Sequence, residues 1–239
     1  MTMYLHFITI FPEIFDSFFA TSLLKKAQDK GIIQVEFINP RQYCEGIHQQ
    51  IDDKMYGGGA GMLIKAQPII DSINACIKTH KMEQSDFKIL FPSPSTEIFT
   101  QKHAYSLSKK EHLIFICGRY EGIDYRVETY LQDHYPQQFQ KISLGKFILL
   151  GGEIASMTMT EAITRLIPGV IKETESRQEE SYSLKENMEN LEAPQYTRPE
   201  EVYGYRVPET LLTGNEKEIA QRKKEKSKNL TQLAESSSE

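Results

Sequence analysis

The sequence predicts an α/β domain built around a mainly parallel sheet. Short apolar segments rich in β-branched and aromatic residues alternate with helical patterns along the chain, and this alternation is typical of parallel sheets. The strand-like segments are apolar throughout, so we expect both faces of the sheet to be covered. The predicted strands are Tyr4–Ile10, Ile32–Ile38, Phe87–Phe91, Leu113–Cys117 and Lys146–Leu150.

Helical patterns lie between these strands. They are predicted at Pro12–Ala20, Leu23–Lys30, Pro68–Lys78 and Thr100–Lys109. Gly31 is the expected stop of the second helix, and Thr100 is the expected N-cap of the fourth. A further helical, basic segment is predicted at Glu218–Lys228, which could contact phosphates or simply be solvated.

The composition is that of a globular protein, with 39% hydrophobic and 26% charged residues. The three cysteines are far apart and show no Cys/His ligand spacing, which argues against a disulfide scaffold or a structural zinc site. No apolar stretch approaches the roughly 20 residues of a membrane-spanning helix. The N-terminus is typical of a first strand, not of an export signal, so a cytoplasmic location is expected. The net charge of −5 argues against binding polyanions through overall charge, but it leaves a local basic patch open.

A change in composition after Pro168-Gly169 predicts a domain boundary. Residues 172–192 contain seven Glu and three Lys or Arg, which is typical of a flexible acidic linker. The predicted organisation is therefore a main domain at 1–171, a linker at 172–192 and a small helical domain at 193–239. The last residues, from Ala234, are expected to fray.

Three glycine-rich loops are candidate ligand sites. The first, Tyr56–Met62, lacks the Gly-Lys-Ser/Thr of a Walker A loop and the GxGxxG spacing of dinucleotide sites. Glycine lets a ligand approach backbone N–H groups closely. A flexible surface loop is the alternative.

The second loop, Cys117–Asp124, follows a predicted strand, and ligands bind at the carboxyl ends of parallel strands. The alternative is a simple ion pair of Arg119 with Glu121 across a turn. The third loop, Ile142–Glu153, predicts an apolar strand that forms one wall for a flat heteroaromatic ring. A buried strand with tight turns is equally compatible with its composition.

Together and in this order, the motifs YGGGxGM, CGRYEGID and LxGGE resemble the bacterial tRNA (guanine-N1)-methyltransferase family. The resemblance extends over about residues 4–220. Its other matching segments are Ile10–Glu13, Met157-Thr158, Arg165–Val170, Tyr196–Pro199, Val207-Pro208 and Leu212–Asn215.

The resemblance implies a SPOUT-type fold with a deep trefoil knot in the sheet domain, which physical reasoning alone would not suggest because knots are rare. It also implies a homodimer and a small C-terminal domain that holds tRNA. The implied reaction moves a methyl group from S-adenosylmethionine to N1 of the guanosine on the 3′ side of the anticodon, position 37. A requirement for Mg²⁺ is implied as well, at a site that the sequence leaves unknown.

The resemblance also implies which residues form the sites. The cofactor pocket would comprise Phe91, Ser93, Pro94, Gly118, Tyr120, Leu144, Gly145, Lys146, Phe147, Ile148, Leu149, Gly151 and Gly152. The substrate would be bound by His48, Asp52, Gly59, Arg119, Glu121 and Ser181. For Phe91, plain core packing is the alternative.

The reaction requires a base, because N1 of guanine carries a proton at neutral pH, and a cation or donors for the charge that moves to O6. The resemblance implies Glu180 as the base and Arg165 as the cation. Glu180 stands where the family has Asp, and a displacement of roughly 1 Å can cost on the order of 10²-fold in rate. Its alternative is a solvated acidic linker residue.

Glu161 also replaces an Asp of the family, although Thr158–Glu161 has the spacing of a capping box. Ala60 replaces the usual Pro of the first glycine loop, and the segment around His48 lacks charged residues of the family. The alternative function is a non-catalytic or altered-specificity RNA-binding relative of the same fold.

Overall fold

The structure is a computed structural model that describes residues 2–83, 86–94, 96–171, 180–183 and 188–236. The chain divides into two units, Met1–Ile171 and Lys172–Glu239. Among the described residues, no helix combines the length and the apolar character needed to cross a membrane.

The first unit contains seven strands and six helices in its described residues. In chain order they are β1 (Met3–Ile8), α1 (Asp16–Phe19), α2 (Ser22–Asp29), β2 (Ile33–Ile38), β3 (Asp52–Asp53), β4 (Leu63–Ile64), α3 (Ala66–Thr79), β5 (Phe87–Pro92), α4 (Gln101–Leu107), β6 (His112–Ile116), α5 (Arg126–His134), β7 (Phe139–Ile142) and α6 (Gly152–Thr164). Short 3-10 turns span Pro12–Phe15 and Pro40–Tyr43.

Five of these strands form one sheet in the order β2-β1-β6-β5-β7, and every neighbouring pair is parallel. The prediction of an α/β fold with a mainly parallel sheet is therefore confirmed. Each face of the sheet carries its own apolar core, because alternate strand residues point to opposite faces. Leu5 and Phe7 of β1 pack on the side of α1, α2, α4 and α6, whereas Ile8 packs on the side of α3 and α5.

The residues predicted to end the second helix and to begin the fourth are confirmed. Gly31 adopts φ +67° just after α2, a conformation that glycine reaches without strain. Thr100 is the N-cap of α4 and forms a capping box with His103. The helix predicted at Pro68–Lys78 is present as α3, which spans the slightly longer range Ala66–Thr79.

Other local predictions are wrong. The predicted strand Lys146–Leu150 is an irregular loop, and the fifth sheet strand is instead β7, whose mixed sequence Phe-Gln-Lys-Ile hides it from pattern analysis. The capping-box interpretation of Thr158–Glu161 also fails, because α6 already begins at Gly152 and Glu161 is exposed in its interior. Helix α5 was not predicted.

The second unit contains a short antiparallel hairpin of β8 (Glu201–Val202) and β9 (Tyr205–Arg206), a 3-10 turn at Glu209–Leu211, and the helix α7 (Glu216–Ser236). The backbone of Leu191 is fixed to α7 because its N–H donates to Thr231 Oγ1 at 2.9 Å and its carbonyl accepts from Ser227 Oγ. Helix α7 extends well beyond the predicted Glu218–Lys228.

The predicted linker and tail are only partly described. Residues 172–179 and 184–187 of the linker, and 237–239 of the tail, lie outside the described residues. The part of the expected frayed tail that is described is helical as far as Ser236. Within the linker, Tyr182 N–H donates to the carbonyl of Asn190 at 2.7 Å.

Candidate functional site

A cleft of about 530 Å³ lies at the carboxyl ends of β5, β6 and β7. Each of these strands is followed by a loop that lines the cleft, and the carboxyl edge of a parallel sheet is the usual place for a ligand. The lining residues are Phe91–Pro94, Gly118–Ile123, Glu128, Lys141–Gly145, Phe147–Gly152 and Ala155.

The residues predicted for a cofactor pocket converge here. All of them line the cleft except Lys146, which is not among its described lining residues. They come from three loops that are far apart in the sequence, so their convergence is a property of the fold. That these residues bind a cofactor stays a prediction.

The loop after β7 supplies an apolar wall although it is not a strand. Ser143 holds its first turn, with Oγ accepting from the N–H of Gly145 and donating to its carbonyl, both at 3.1 Å. Gly145 has φ +150°, and a Cβ there would lie 2.9 Å from the ring of Phe147. The side chains of Ile148 and Leu150 are 80% and 91% exposed. A run of apolar side chains this exposed is typical of surfaces that bind a partner or ligand.

The second and third loops meet through their backbones at Gly152. Its N–H donates to the carbonyl of Gly118 at 2.9 Å. A Cβ on Gly152 would lie 2.9 Å from Cys117 Cα and 3.1 Å from Gly118 N. Only glycine therefore allows α6 to start against the end of β6.

An ion pair with a fully buried carboxylate holds Arg119 at the edge of the cleft. Its Nε lies 2.8 Å from Oε2 of Glu153, whose side chain is 0% exposed. The second carboxylate oxygen, Oε1, accepts from Thr9 Oγ1 at 2.9 Å, and the Arg119 guanidinium lies 4.9 Å from the ring centre of Phe11. The alternative pairing of Arg119 with Glu121 is wrong, because the partner of Arg119 is Glu153.

The first glycine loop packs against the second. The N–H of Glu121 donates to the carbonyl of Met62 at 3.1 Å, and that of Ile64 donates to the carbonyl of Gly122 at 3.0 Å. Gly61 has φ +90°, and a Cβ there would meet the Glu121 side chain at 2.7 Å from Oε1. The loop is therefore anchored at its carboxyl end, which the flexible-loop alternative did not anticipate.

The predicted substrate residues are divided. Arg119 and Glu121 line the cleft. His48, Asp52 and Gly59 are not among its described lining residues; His48 and Gly59 are exposed, and Asp52 pairs with Ile64 in the β3–β4 hairpin.

The two predicted catalytic residues lie in different units. Arg165 is the C-cap of α6 in the first unit and is partly buried. Glu180 belongs to the second unit, where it lines a cavity of about 490 Å³. Ser181, also in the second unit, accepts the N–H of Glu192 at 2.8 Å through its Oγ. The roles of Arg165 and Glu180 stay predictions.

Sequence reasoning missed several polar groups of the cleft. It did not identify Glu153, although a carboxylate directly after Gly151-Gly152 at a helix start was a signal that could have found it. It also missed the pair of Lys141 Nζ and Glu128 Oε2 at 2.9 Å. These two side chains face the cleft from β7 and α5.

The backbone of Tyr120 is strained, which the sequence does not indicate. Its φ is +58°, a left-handed conformation that costs energy for a residue with a side chain. Its side chain is 48% exposed and lines the cleft. Strain of this kind collects at ligand sites, which agrees with a binding role for this loop.

Titratable groups beside the cleft limit its chemistry. Burial raises the pKa of the Cys117 thiol, and this cysteine is 2% exposed. A protonated, inaccessible thiol is a poor nucleophile, so Cys117 does not fit a role in covalent catalysis. Hydrogen bonds from Arg126 hold the pKa of Asp124 below its usual range at the start of α5.

Comparison with known proteins supplies the family. Residues 3–236 match the family described as tRNA (Guanine-1)-methyltransferase TrmD. A tRNA (guanine-N(1)-)-methyltransferase of Carboxydothermus hydrogenoformans is 48% identical over 217 residues, which cover 91% of this chain and 79% of the relative. Enzymes of the same name from Clostridioides difficile and Bacillus subtilis are 40% and 42% identical, over 96% and 91% of this chain and 94% and 84% of the relatives.

Proposed function

The chain belongs to the tRNA (guanine-1)-methyltransferase TrmD family, and from this premise we propose that it methylates N1 of the guanosine on the 3′ side of the anticodon in tRNA. It is a tRNA (guanine-N1)-methyltransferase, as are the relatives to which it is similar over most of its length. The observation that carries the site assignment is the cleft that the loop after β5 and the second and third glycine-rich loops line together.

The described cleft fits S-adenosylmethionine as the methyl donor. Its volume of about 530 Å³ is within the range of small-molecule sites. The exposed side chains of Phe147, Ile148 and Leu149 would cover the adenine ring, and backbone groups of Gly118 and Gly151 would read its edge. When bound, the donor supplies an electrophilic methyl group on a positively charged sulfur. The carboxylate of Glu121, which lines the cleft, would favour that positive charge.

The protein's own residues would then activate guanine. Glu180 would accept the N1 proton, which would leave a lone pair on N1 for the methyl group. Arg165 balances the negative charge that develops on O6. The proton held by Glu180 would then pass to solvent. Arg119, positioned by Glu153, is proposed to contact the substrate from the cleft edge.

The finer features of the family remain part of this proposal. We propose a trefoil knot, formed where the loop after β7 returns to the end of β6, and a homodimer that covers exposed apolar residues such as Leu150 and Ile154. The second unit, with its long basic helix α7, is proposed to hold tRNA. A cytoplasmic location, where tRNA is found, is part of the same proposal.

A requirement for Mg²⁺ is proposed without a site. Among the described residues the cleft contains no group of three or more close metal-ligating side chains, and Glu128 and Glu153 are paired with Lys141 and Arg119. The proposed steps therefore do not involve the ion. The requirement is tested by removing divalent ions with a chelator and restoring them with Mg²⁺.

A methyl-transfer assay tests the proposal. Purified protein is incubated with labelled S-adenosylmethionine, Mg²⁺ and tRNA carrying guanosine 3′ to the anticodon, and the nucleosides are then analysed. We expect 1-methylguanosine from this tRNA and none when that guanosine is replaced by adenosine. The absence of 1-methylguanosine above background would overturn the proposed function. No observation favours a non-catalytic RNA-binding protein.

Variants test the assignment of the base. Because a positioned base contributes about 10²–10⁴-fold, Glu180→Gln should lower kcat at least about 100-fold while donor affinity stays unchanged. Glu200→Gln is the matched control, since Glu200 is an exposed residue of the same unit outside helix α7. Equal turnover of both variants would reject Glu180 as the base.

A further inference from the structure

Four side chains with metal-binding atoms converge on the face of the sheet that α3 covers. They are His6, Glu36, Cys76 and His80. We propose that this cluster binds one divalent transition-metal ion of the zinc class. Nothing in the methyl-transfer chemistry uses these residues, so the inference is independent of the proposed function.

The fold places the four residues together in two pairs. His6 and Glu36 are directly opposite each other on the parallel strands β1 and β2, so their side chains point to the same face of the sheet. Cys76 and His80 are four residues apart at the end of α3 and lie on one side of the helix. Because α3 packs on this face of the sheet, the two pairs face each other.

The four ligand atoms are already close. His6 Nδ1 lies 2.7 Å and His80 Nε2 lies 2.9 Å from the same oxygen, Oε2 of Glu36. All four candidate ligand atoms lie within 4.8 Å of one another. In a tetrahedral zinc site with bonds of about 2.0–2.3 Å, the ligand atoms are separated by roughly 3.3–3.8 Å. Closure therefore requires side-chain movements of about 1 Å and no new backbone path.

The set of donors selects the kind of ion. Two imidazole nitrogens, one sulfur and one carboxylate oxygen are the ligand types of four-coordinate zinc sites. Mg²⁺ and Ca²⁺ prefer oxygen ligands alone. On binding, the Cys76 thiol loses its proton to solvent and binds as a thiolate, while both histidines bind as neutral imidazoles.

The surroundings provide both support and access. His6 Nε2 lies 3.1 Å from Nδ1 of His112, so the ring nitrogen opposite the proposed metal ligand already has a partner. His6 and Cys76 are 1% and 3% exposed, whereas the side chains of His80 and Glu36 are 26% and 45% exposed. An ion can therefore enter from the solvent-exposed side, near Glu36, and reach the buried side chains of His6 and Cys76.

This inference revises the expectation that the chain holds no structural zinc site. That expectation rested on the spacing of Cys and His along the sequence. The four proposed ligands come from β1, β2 and the end of α3, which are far apart in the sequence, so they form no recognisable spacing motif. None of the four is among the described residues that line the cleft. A bound ion would tie β1, β2 and α3 together, so its role would be structural.

Metal titration of the full-length protein tests the site. Protein stripped with a chelator is titrated with Zn²⁺ in competition with a chromophoric chelator, and separately with Co²⁺ to detect the absorption of a cobalt–thiolate bond. We expect one ion per chain and a cobalt–thiolate band. A stoichiometry well below one, or Co²⁺ binding without that band, would overturn the proposal.

Variants identify the ligands. Glu36→Gln and His80→Gln, at partly exposed positions, should each weaken Zn²⁺ binding at least about 100-fold, and His112→Gln about 10–100-fold, the usual range for a group that supports a ligand. Cys44→Ser and His134→Gln are matched controls outside the cluster and should bind like the wild type. Cys76 is buried in the apolar core, where a substitution also changes packing, so the two partly exposed variants decide the outcome. Wild-type affinity in both would show that Zn²⁺ binds elsewhere.

Discussion

Replacing Glu153 by Gln removes the negative charge from a side chain that is 0% exposed and lies 2.8 Å from Arg119. Removing one partner of a fully buried ion pair costs about 3–5 kcal/mol. Arg119 is 18% exposed, and the Gln oxygen can still accept from Thr9, so we expect a smaller loss of about 2–3 kcal/mol in the free energy of unfolding. For a unit of this size, this lowers Tm by roughly 4–12 °C.

Thermal unfolding followed by circular dichroism measures this loss. Glu161→Gln is the matched control because Glu161 is an exposed residue of the same helix, and surface substitutions usually change stability by less than about 0.5 kcal/mol. A double-mutant cycle with Arg119→Met should give a coupling energy of about 1–3 kcal/mol between positions 119 and 153. If Glu153→Gln has the same Tm as Glu161→Gln, the ion pair does not stabilise the cleft.

Three further predictions concern the same part of the fold. Gly152→Ala places a Cβ 2.9 Å from the backbone of Cys117 and should cost about 1–3 kcal/mol in urea unfolding; an unchanged midpoint would contradict the close approach. Arg126 lowers the pKa of Asp124, so the stability advantage of the wild type over Arg126→Gln should be full above pH of about 4 and vanish as pH falls through the lowered pKa. Equal differences at pH 7 and at strongly acidic pH would refute it. Burial should keep Cys117 unreactive toward iodoacetamide in the folded protein while the partly buried Cys44 is modified, and peptide mass mapping that finds equal modification would contradict this.

The sequence was informative where local chemistry decides structure. Three of the four predicted helices exist, because their ends are set by nearby residues such as Thr100 and Gly31. The remaining one, Pro12–Ala20, is divided into a 3-10 turn at Pro12–Phe15 and the short helix α1. The parallel sheet followed from apolar segments buried on both faces. The three glycine-rich loops were identified as candidate sites because close backbone approach requires glycine, as the contact of Gly152 with Gly118 illustrates.

The sequence was misleading where a pattern has two physical explanations. The run Phe147–Leu150 looks like a buried strand, yet its apolar side chains are exposed on a loop at the cleft. The observed strand β7 contains the polar residues Gln140 and Lys141, and Lys141 forms an ion pair with Glu128. Periodicity reports which residues are apolar, and it does not report whether the core or a ligand covers them.

Non-local pairs were out of reach for the sequence alone. Arg119 and Glu153 meet because α6 starts against the end of β6, and the His6–Glu36–Cys76–His80 cluster forms because α3 crosses two strands. Such contacts depend on topology, and no spacing rule for a single segment predicts them.

A calorimetric titration with S-adenosylmethionine tests most directly whether the cleft is the donor site. Leu149→Ser removes part of the apolar wall, where Leu149 is 40% exposed, whereas Leu212→Ser makes the same change at a residue of the second unit that is 50% exposed. We expect about a 10-fold or greater loss of affinity for Leu149→Ser, from the roughly 1.5–3 kcal/mol of a buried leucine, and wild-type affinity for Leu212→Ser. Equal donor affinity in both variants would contradict the account.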